Sequence, residues 1–329
     1  MRTRTTFGIL MVAMALPVLA QDPRPQATGA AGDKLWFANE TAKDYRLRAR
    51  FPESSRALAP GEKDPVKEKR TATHQSSRGP EGKGAAFSVW AGSVSYEVGR
   101  PVTLFATVEG GAALEVSADV VGEAGDLVVH AVYNDEGRDG DRKAGDGVWT
   151  ARFRMPAGVE PEVAASYMVK VRSRLADGDV RETVGGFLYS NPGAHLTGRY
   201  RDGLRDGSLV VSAEVDVARA GRFHLAGTLY SKKGEPVGTA QAAAELEPGR
   251  QWIDLTFYGL MFHDRKVAGP FRLGTVALTT AGSMPNALND LVENAFTTRA
   301  WRLDQMTAKP FANPDLLDAA ARLEAAASQ

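Results

Sequence analysis

Short apolar runs with a two-residue rhythm fill the chain from residue 85 onward, and this rhythm constrains the fold more than any other feature. In "RPVTLFATVEG", for example, Val102, Leu104 and Ala106 fall on one face of an extended chain, because successive side chains of a strand point to opposite sides. Glycine, aspartate or proline separates each run from the next, as is typical of strands joined by tight turns. The rhythm therefore predicts an all-β fold of antiparallel β-sandwiches.

The strand-like runs form two series. The first spans residues 85–191 and has the size of an immunoglobulin-like (Ig-like) sandwich. A stretch rich in Gly and Asp, "SNPGAHLTGRYRDGLRDGS", marks a boundary, and a second sandwich is predicted over residues 196–305. Apolar residues between 288 and 296 follow helical spacing, so we expect a short helix there. The predicted architecture is a tandem of Ig-like antiparallel β-sandwiches.

The two ends of the chain carry other patterns. Residues 1–20 combine arginines, an apolar run and small side chains before a cleavage point, which predicts a signal peptide. Residues 21–84 have little apolar periodicity, so we expect a poorly ordered, flexible N-terminal segment with a short docked strand pair at residues 35–51. In the tail, residues 306–329, Asn313 as a cap before Pro314 predicts a short C-terminal helix.

Composition narrows the function. The 329 residues include 40 basic and 40 acidic side chains, and this balance argues against a nucleic-acid-binding protein. The chain has no cysteine, which together with the signal peptide predicts a bacterial periplasmic or secreted protein. We expect no transmembrane segment after signal cleavage. The five histidines lack metal-ligand spacing, and neither a Gly-x-Ser-x-Gly elbow nor a phosphate loop occurs, so we predict no enzyme activity.

The stretch "YNDEGRDGDRKAGDGVWT" concentrates acidic side chains in a glycine-rich loop between two predicted strands. Calcium prefers six to eight oxygen ligands in a flexible geometry, which such a loop can supply. The candidate ligands are Asp135, Asp139, Asp141 and Asp146. The spacing does not fit an EF-hand, since Gly137 supplies no side-chain oxygen. A metal-free tight turn is the alternative, because glycine tolerates positive φ and aspartate bonds to nearby backbone.

Aromatic side chains provide a second candidate surface. In "RQWIDLTFYGLMF", Trp252 and Tyr258 share a strand face opposite Ile253 and Phe257. Exposed rings of this kind can contact sugars or anchor a protein partner, whereas burial in the core is the more common fate of aromatic residues. Trp252 and Tyr258 are therefore the candidate ligand-binding residues.

Two parts of the chain resemble known families. "YNDEGRDGDRKAGDGVWTARF" is similar to the pattern D-D-G-x-x-G-D-x-x-A-G-D-G-x-Y-T of choice-of-anchor X-type domains in bacterial surface and secreted proteins. "GGFLYSNPGAHLTGRYRDGLRDGSLVVSAEVDVARAGRFHLAGTLY" and "GPFRLGTVALTT" resemble the following domain of an uncharacterised family of exported bacterial multi-β-domain proteins. The resemblance, over residues 86–305, implies tandem Ig-like sandwiches and no catalytic activity, since none is established for that family.

These features predict an exported, non-enzymatic binding or scaffolding protein of the bacterial cell envelope. Its partner would be an envelope protein or a glycan, and calcium is its candidate cofactor. Two alternatives stay open: an accessory module of an envelope hydrolase or peptidase, and a carbohydrate-binding module that uses Trp252 and Tyr258.

Overall fold

The computed structural model describes residues 30–68, 72–79, 82–281 and 287–327. The chain divides into two compact units, Met1–Ala49 with Asn313–Gln329 and Arg50–Ala312. The signal peptide predicted over residues 1–20 lies outside the described residues. In the described part of the chain, no helix has both the length and the apolarity of a membrane span.

Strands account for most of the ordered structure. The strands are β1 Ser55–Ala57, β2 Gln75–Ser77, β3 Ala86–Ala91, β4 Ser95–Glu97, β5 Val102–Glu109, β6 Ala113–Val121, β7 Leu127–Val132, β8 Trp149–Phe153, β9 Ala164–Leu175, β10 Val180–Ser190, β11 Ala194–Arg205, β12 Ser208–Val217, β13 Gly221–Tyr230, β14 Pro236–Leu246, β15 Gly249–Phe257, β16 Arg272–Ala281 and β17 Ala287–Thr297. The helices are α1 Ala30–Arg48, α2 Pro65–Glu68, α3 Leu260–Arg265 and α4 Pro314–Ala327, with a 3-10 turn at Leu303–Gln305.

The smaller unit is a pair of helices. α1 packs against α4, and Arg46 donates two hydrogen bonds to the carboxylate of Glu324, at 2.7 and 2.6 Å. Asn313 accepts the backbone N–H groups of Asp315 and Leu316 at 3.1 and 3.3 Å and so caps α4. The predicted short C-terminal helix with its asparagine cap is confirmed.

The strand pair predicted at residues 35–51 is wrong, because helix α1 covers most of this segment. Trp36, Phe37 and Tyr45 suggested strands, but aromatic content predicts a strand only in a suitable packing context. After Gly32, the helix contains neither glycine nor proline and is rich in Ala, Leu, Lys and Arg, which favour helix. Packing against α4 then supplies stabilisation that the isolated segment lacks.

The first β-sandwich consists of a four-stranded sheet, β2-β3-β5-β8, and a five-stranded sheet, β4-β10-β9-β6-β7. All neighbours are antiparallel except β4 and β10, which run parallel. Alternate residues of β5, namely Val102, Leu104 and Ala106, are buried between the two sheets, as the two-residue rhythm predicts.

The second β-sandwich consists of the sheets β11-β12-β15 and β1-β14-β13-β16-β17, with every pairing antiparallel. Its core is formed by fully buried side chains from both sheets, including Leu209, Phe223, Leu225, Leu255 and Phe257. The prediction of an all-β fold of tandem antiparallel sandwiches is confirmed.

Residues 50–68 are part of the larger unit, although the sequence predicts a poorly ordered segment over residues 21–84. β1 adds an edge strand beside β14, and α2 lies against β13 and β16. Phe51, Leu58 and Val66 are buried, and Phe51 joins the core of the second sandwich. These apolar residues are too widely spaced to form a periodic pattern, and the core that Phe51 joins is formed by residues far along the chain.

The helix predicted between residues 288 and 296 is also wrong, since this segment forms β17. The pairing of β16 with β17 shifts register between Leu273 and Thr275 and again between Leu278 and Thr279. An extra residue at a bulge interrupts the alternation of a strand, so apolar side chains recur after three or four residues instead of two. Bulges therefore produced the spacing that resembles a helix.

Candidate functional site

The acidic loop connects the two sheets of the first sandwich. It leaves β7 at the edge of one sheet and enters β8 at the edge of the other. At its base, Asn134 and Thr150 exchange two backbone hydrogen bonds, at 2.9 and 2.8 Å. This bridge fixes both ends of the loop, so the acidic residues between them form a closed turn.

Three of the four predicted ligands converge in this turn. Carboxylate oxygens of Asp135, Asp141 and Asp146 lie within 4.8 Å of one another. Asp141 is buried, with 8% of its surface exposed, while Asp146 is exposed. Asp139, the fourth predicted ligand, is exposed and does not belong to the described group. The structure thus narrows the candidate cation site to three aspartates.

Backbone N–H groups hold these carboxylates in place. Asp135 accepts from the N–H groups of Asp146 and Gly147 at 3.2 and 3.0 Å, and Asp141 accepts from Gly137 at 2.6 Å. Such bonds are the ones that a metal-free aspartate turn uses. A carboxylate oxygen has more than one acceptor direction, so the same bonds also leave room for a cation.

Gly140 shows why the turn needs glycine. Its φ is +100°, and a side-chain carbon built at this position would lie 2.9 Å from Cδ and 3.1 Å from Cβ of Arg152. The loop therefore packs closely on β8 where Gly140 passes, which fixes the orientation of the neighbouring Asp141.

Electrostatic repulsion between the three carboxylates is moderate. Two unit charges 4 Å apart in water repel by about 1 kcal/mol, so three such pairs would contribute about 3 kcal/mol, and the burial of Asp141 adds to this repulsion. The backbone donors offset part of this repulsion, and an ion pair between Arg138 and Glu136 lies in the same loop. The arrangement is therefore compatible both with a metal-free turn and with a turn that holds a divalent cation.

The two predicted ligand-binding aromatics do not form one surface. Trp252 and Tyr258 are six residues apart along an extended run, or about 20 Å at 3.3 Å per residue. The guanidinium of Arg201 lies 4.2 Å from the centre of the Trp252 ring. Tyr258 packs edge to face on Phe51 at 6.4 Å and donates its hydroxyl to the carbonyl of Lys309 at 2.8 Å. A ligand-binding role for either ring stays a prediction.

A buried carboxylate that sequence reasoning missed joins residues 50–68 to the second sandwich. Asp64 is 6% exposed and accepts hydrogen bonds from the hydroxyls of Thr228, Tyr230 and Thr275 at 2.7, 2.7 and 2.5 Å. Its Oδ1 also accepts the N–H of Val66 at 2.9 Å, which caps α2. The available signal was the pair Asp64-Pro65, because aspartate before proline is typical of a helix start.

A second missed group lies where the two sandwiches meet. His195 of β11 faces Asp290 of β17 at 3.2 Å and Glu97 of β4 at 3.7 Å. The hydrogen bond to Asp290 raises the pKa of His195, and the charge of Glu97 adds to this rise against desolvation and the charge of Arg100. Nothing in the local sequence indicates this cluster, because each residue comes from a different strand.

Comparisons with known proteins identify one segment of the chain. Residues 193–290 match the family described as "Domain of unknown function (DUF4785) C-terminal domain". No curated protein matches the chain. The match leaves the resemblance of the acidic loop to choice-of-anchor X-type domains a prediction.

Several solved structures are similar to the chain. A DUF4785 family protein from Legionella pneumophila is 21% identical with a TM-score of 0.48, over 66% of this chain and 59% of that protein. CopC from Methylosinus trichosporium is 22% identical with a TM-score of 0.20, over 30% of this chain and 86% of that one. Dimeric latent PorU from Porphyromonas gingivalis is 12% identical with a TM-score of 0.21, over 74% of this chain and 22% of that one. Residues 193–290, which form most of the second sandwich, are thus similar to the C-terminal domain of DUF4785 proteins, whose function is unknown.

Proposed function

We propose that this chain is an exported binding or scaffolding protein of the bacterial cell envelope, in which two β-sandwiches hold their loops and edges at a fixed spacing. The observation that carries this proposal is the tight junction between the sandwiches. A flexible hinge would favour domain motion, whereas a short and bonded connection favours a rigid support.

The junction is short and is held by side chains from both sides. Only residues 191–193 separate the end of β10 from the start of β11. Arg219 of the second sandwich donates two hydrogen bonds to Asn191, to its side-chain oxygen at 3.2 Å and to its carbonyl at 2.6 Å. His195 contacts Glu97 across the same junction. These contacts support a fixed relation between the two sandwiches.

The export part of the proposal rests on the sequence of residues 1–20. The absence of cysteine from the chain is compatible with an oxidising compartment, because no disulfide can form incorrectly there. An envelope protein or a glycan is the proposed class of partner.

Export is tested by fusing alkaline phosphatase, which is active only outside the cytoplasm, to the C-terminus of the full chain. We expect an active fusion, and an inactive one when Arg2 and Arg4 are replaced together with the apolar run that follows. An inactive full-length fusion that accumulates in the cytoplasm would contradict export.

The binding role is tested separately, with a photo-crosslinking residue placed at exposed positions such as Val184 and Met168 in intact cells. We expect one position to yield a discrete crosslinked envelope component. If the purified chain instead hydrolyses peptidoglycan or peptides, and one substitution abolishes this turnover, the accessory-hydrolase alternative is correct.

Calcium binding is a second candidate function, favoured by the convergence of Asp135, Asp141 and Asp146 within 4.8 Å. We propose a weak site, with a dissociation constant of about 1 mM as in other extracellular modules. At 10 mM Ca²⁺ such a site stabilises the folded state by about 1.4 kcal/mol, which raises the melting temperature by about 3 °C.

The structure offers a matched pair of variants for this test. Asp146→Asn removes one of the three converging carboxylates, while Asp139→Asn makes the same chemical change at an exposed position of the same loop. We expect Ca²⁺ to raise the melting temperature of the wild type and of Asp139→Asn after EDTA treatment, but not that of Asp146→Asn. An equal response of all three proteins would show that the loop is only a turn.

A further inference from the structure

Strand β10 is paired along its whole inner edge but along only part of its outer edge. β9 pairs with β10 from Val180 to Ser190, whereas β4 pairs with it only at Leu188–Ser190. Among the residues that the structure describes, none pairs with the outer edge between Val180 and Phe187. An unpaired edge presents backbone donors and acceptors to which a further strand can bind.

The direction of the backbone groups follows from neighbouring hydrogen bonds. The N–H of Leu188 donates to the carbonyl of Val94 at 2.9 Å, so it points away from β9. Alternate residues of a strand point the same way, and no register shift interrupts the pairing of β9 with β10. Glu182, Val184 and Gly186 therefore direct both N–H and C=O outward, and in the described chain these N–H groups have no partner.

An open recess of about 520 Å³ follows this edge, a volume within the range of about 300–1,000 Å³ typical of ligand pockets. It is lined by Val184–Leu188 of β10, by Ala72, Thr73 and Gln75 near β2, and by Val94 before β4. The backbone groups of β10 are thus accessible through a space that already has side walls.

We propose that an extended peptide segment of a partner protein binds in this recess as an added strand beside Glu182–Gly186. β4 shows that the edge accepts a strand, because it pairs in parallel with the adjoining residues 188–190. The chain enters β4 from a bend at residues 92–94 and therefore does not extend along the rest of the edge. The bound segment would lie in line with β4.

The side chains around the edge indicate what this segment contains. Val184 and Met168, which are 50% and 48% exposed, lie on the outer face of the sheet, and Met168 pairs with Gly186. Gly186 has no side chain, so a β-branched or aromatic residue of the peptide can cover it and contact Met168. The backbone supplies affinity and this apolar patch supplies selectivity, as in other cases of strand addition.

A second copy of the chain is the competing occupant of a free edge. In an edge-to-edge dimer, the two β10 strands would have to approach within about 4.8 Å. Ala72, Thr73 and Gln75 border the recess, so a single extended peptide fits it better than the edge of another sandwich. The experiment below distinguishes the two occupants.

The probe is a short synthetic peptide of alternating threonine and valine with a lysine at each end, titrated into the full chain. Its twin carries N-methyl groups on alternate amides, which removes the donors of one edge and keeps every side chain. We expect the unmodified peptide to slow amide hydrogen exchange at Glu182, Val184 and Gly186, and the N-methylated peptide to bind about tenfold more weakly or not at all.

Two protein variants give an independent comparison. Val184→Pro removes an outward N–H from β10 and should weaken binding about tenfold. Val132→Pro is its control on the opposite edge of the same sheet, because the bond from the N–H of Tyr133 to Val116 turns the Val132 backbone outward. If Val184→Pro does not fold, Val184→Glu keeps the backbone and places a charge beside the peptide, with the same expected loss.

The proposal is overturned if the three amides are already protected in the dilute free chain, or if no saturable binding occurs up to about 1 mM peptide. Equal binding of both peptides would also overturn the proposal. Amide protection that increases with the concentration of the chain in the absence of peptide would overturn it as well, because it would indicate a dimer. The inference rests on the proposed binding role for the existence of a partner. Because the titration uses purified chain, its failure leaves export and calcium binding untouched.

Discussion

Asp64 joins residues 50–68 to the second sandwich through a buried network of hydrogen bonds. Its carboxylate accepts hydrogen bonds from three hydroxyls of β13 and β16 and caps α2 through Val66. Asp64→Ala removes all these acceptors without adding bulk. Glu53→Ala, an exposed position in the same segment, is the control and should change stability by about 0.5 kcal/mol or less.

The expected magnitude follows from the groups that lose their partner. Thr228 and Thr275 are 0% and 2% exposed, so water cannot replace the carboxylate. A buried hydroxyl without an acceptor costs about 1–3 kcal/mol, and loss of a helix cap about 1 kcal/mol, so we expect Asp64→Ala to lower the free energy of unfolding by about 4 kcal/mol. Asp64→Asn keeps one acceptor oxygen and should lower it by about 2 kcal/mol.

Acidity provides a second test of the same carboxylate. Burial raises the pKa of Asp64, but the hydrogen bonds from Thr275, Thr228 and Tyr230 outweigh it and hold the pKa below its ordinary value of 3.8. The folded state therefore binds this proton more weakly than the unfolded state, and the stabilisation is present above about pH 4 and is lost as the pH falls through the lowered pKa. Asp64→Ala should lose less stability over that acidic range than the wild type.

The assay is urea unfolding followed by hydrogen exchange of peptides from β13 and β16, which reports on the second sandwich alone. A loss below about 1 kcal/mol in Asp64→Ala, similar to that of Glu53→Ala, would refute the reasoning. It would mean that the threonine hydroxyls find other acceptors and that residues 50–68 are only loosely attached.

Three further predictions concern the loop and the junction. The pKa of His195 is raised, so its stabilising contact with Asp290 is complete below about pH 6.5 and is lost as the pH rises through the raised pKa. The free energy of unfolding, measured in urea, should therefore fall more between pH 6 and pH 8 for the wild type than for His195→Asn. Gly140→Ala should destabilise the first sandwich by about 2 kcal/mol in thermal unfolding, because its φ of +100° and the contact with Arg152 both oppose a side chain. Arg219→Ala should raise the radius of gyration in solution scattering, and an unchanged radius would show that the junction is rigid without this residue.

Local patterns explain the successes and the failures of prediction. The alternation in β5 was sufficient to predict the strand and its buried face, because the geometry of a single strand decides which side chains point inward. The same rule failed at β17, where bulges against β16 change the spacing of apolar residues. It also failed at α1, whose aromatic residues are compatible with either a helix or a strand until α4 packs against it.

The candidate cation site shows a similar division. The sequence supplied all four aspartates of the loop, together with the glycines that let the chain turn. It could not indicate that Asp139 lies outside the group that the other three form, because this depends on the φ angles of Asp139 and Gly140 and on the close approach of the loop to Arg152.

By itself, the sequence determined most strands of the two sandwiches, with β1 and β17 as exceptions, as well as the capped C-terminal helix and the composition of the acidic loop. Each of these features depends on residues within a few positions of one another. Only the tertiary structure decided that Asp64 bonds to Thr228 and Thr275, which lie 164 and 211 positions away, that His195 stands between two carboxylates, and that part of the β10 edge has no described strand beside it. The physical reason is that covalent geometry sets the direction of successive side chains, whereas the neighbours of a sheet edge or a buried carboxylate are set by how distant segments pack.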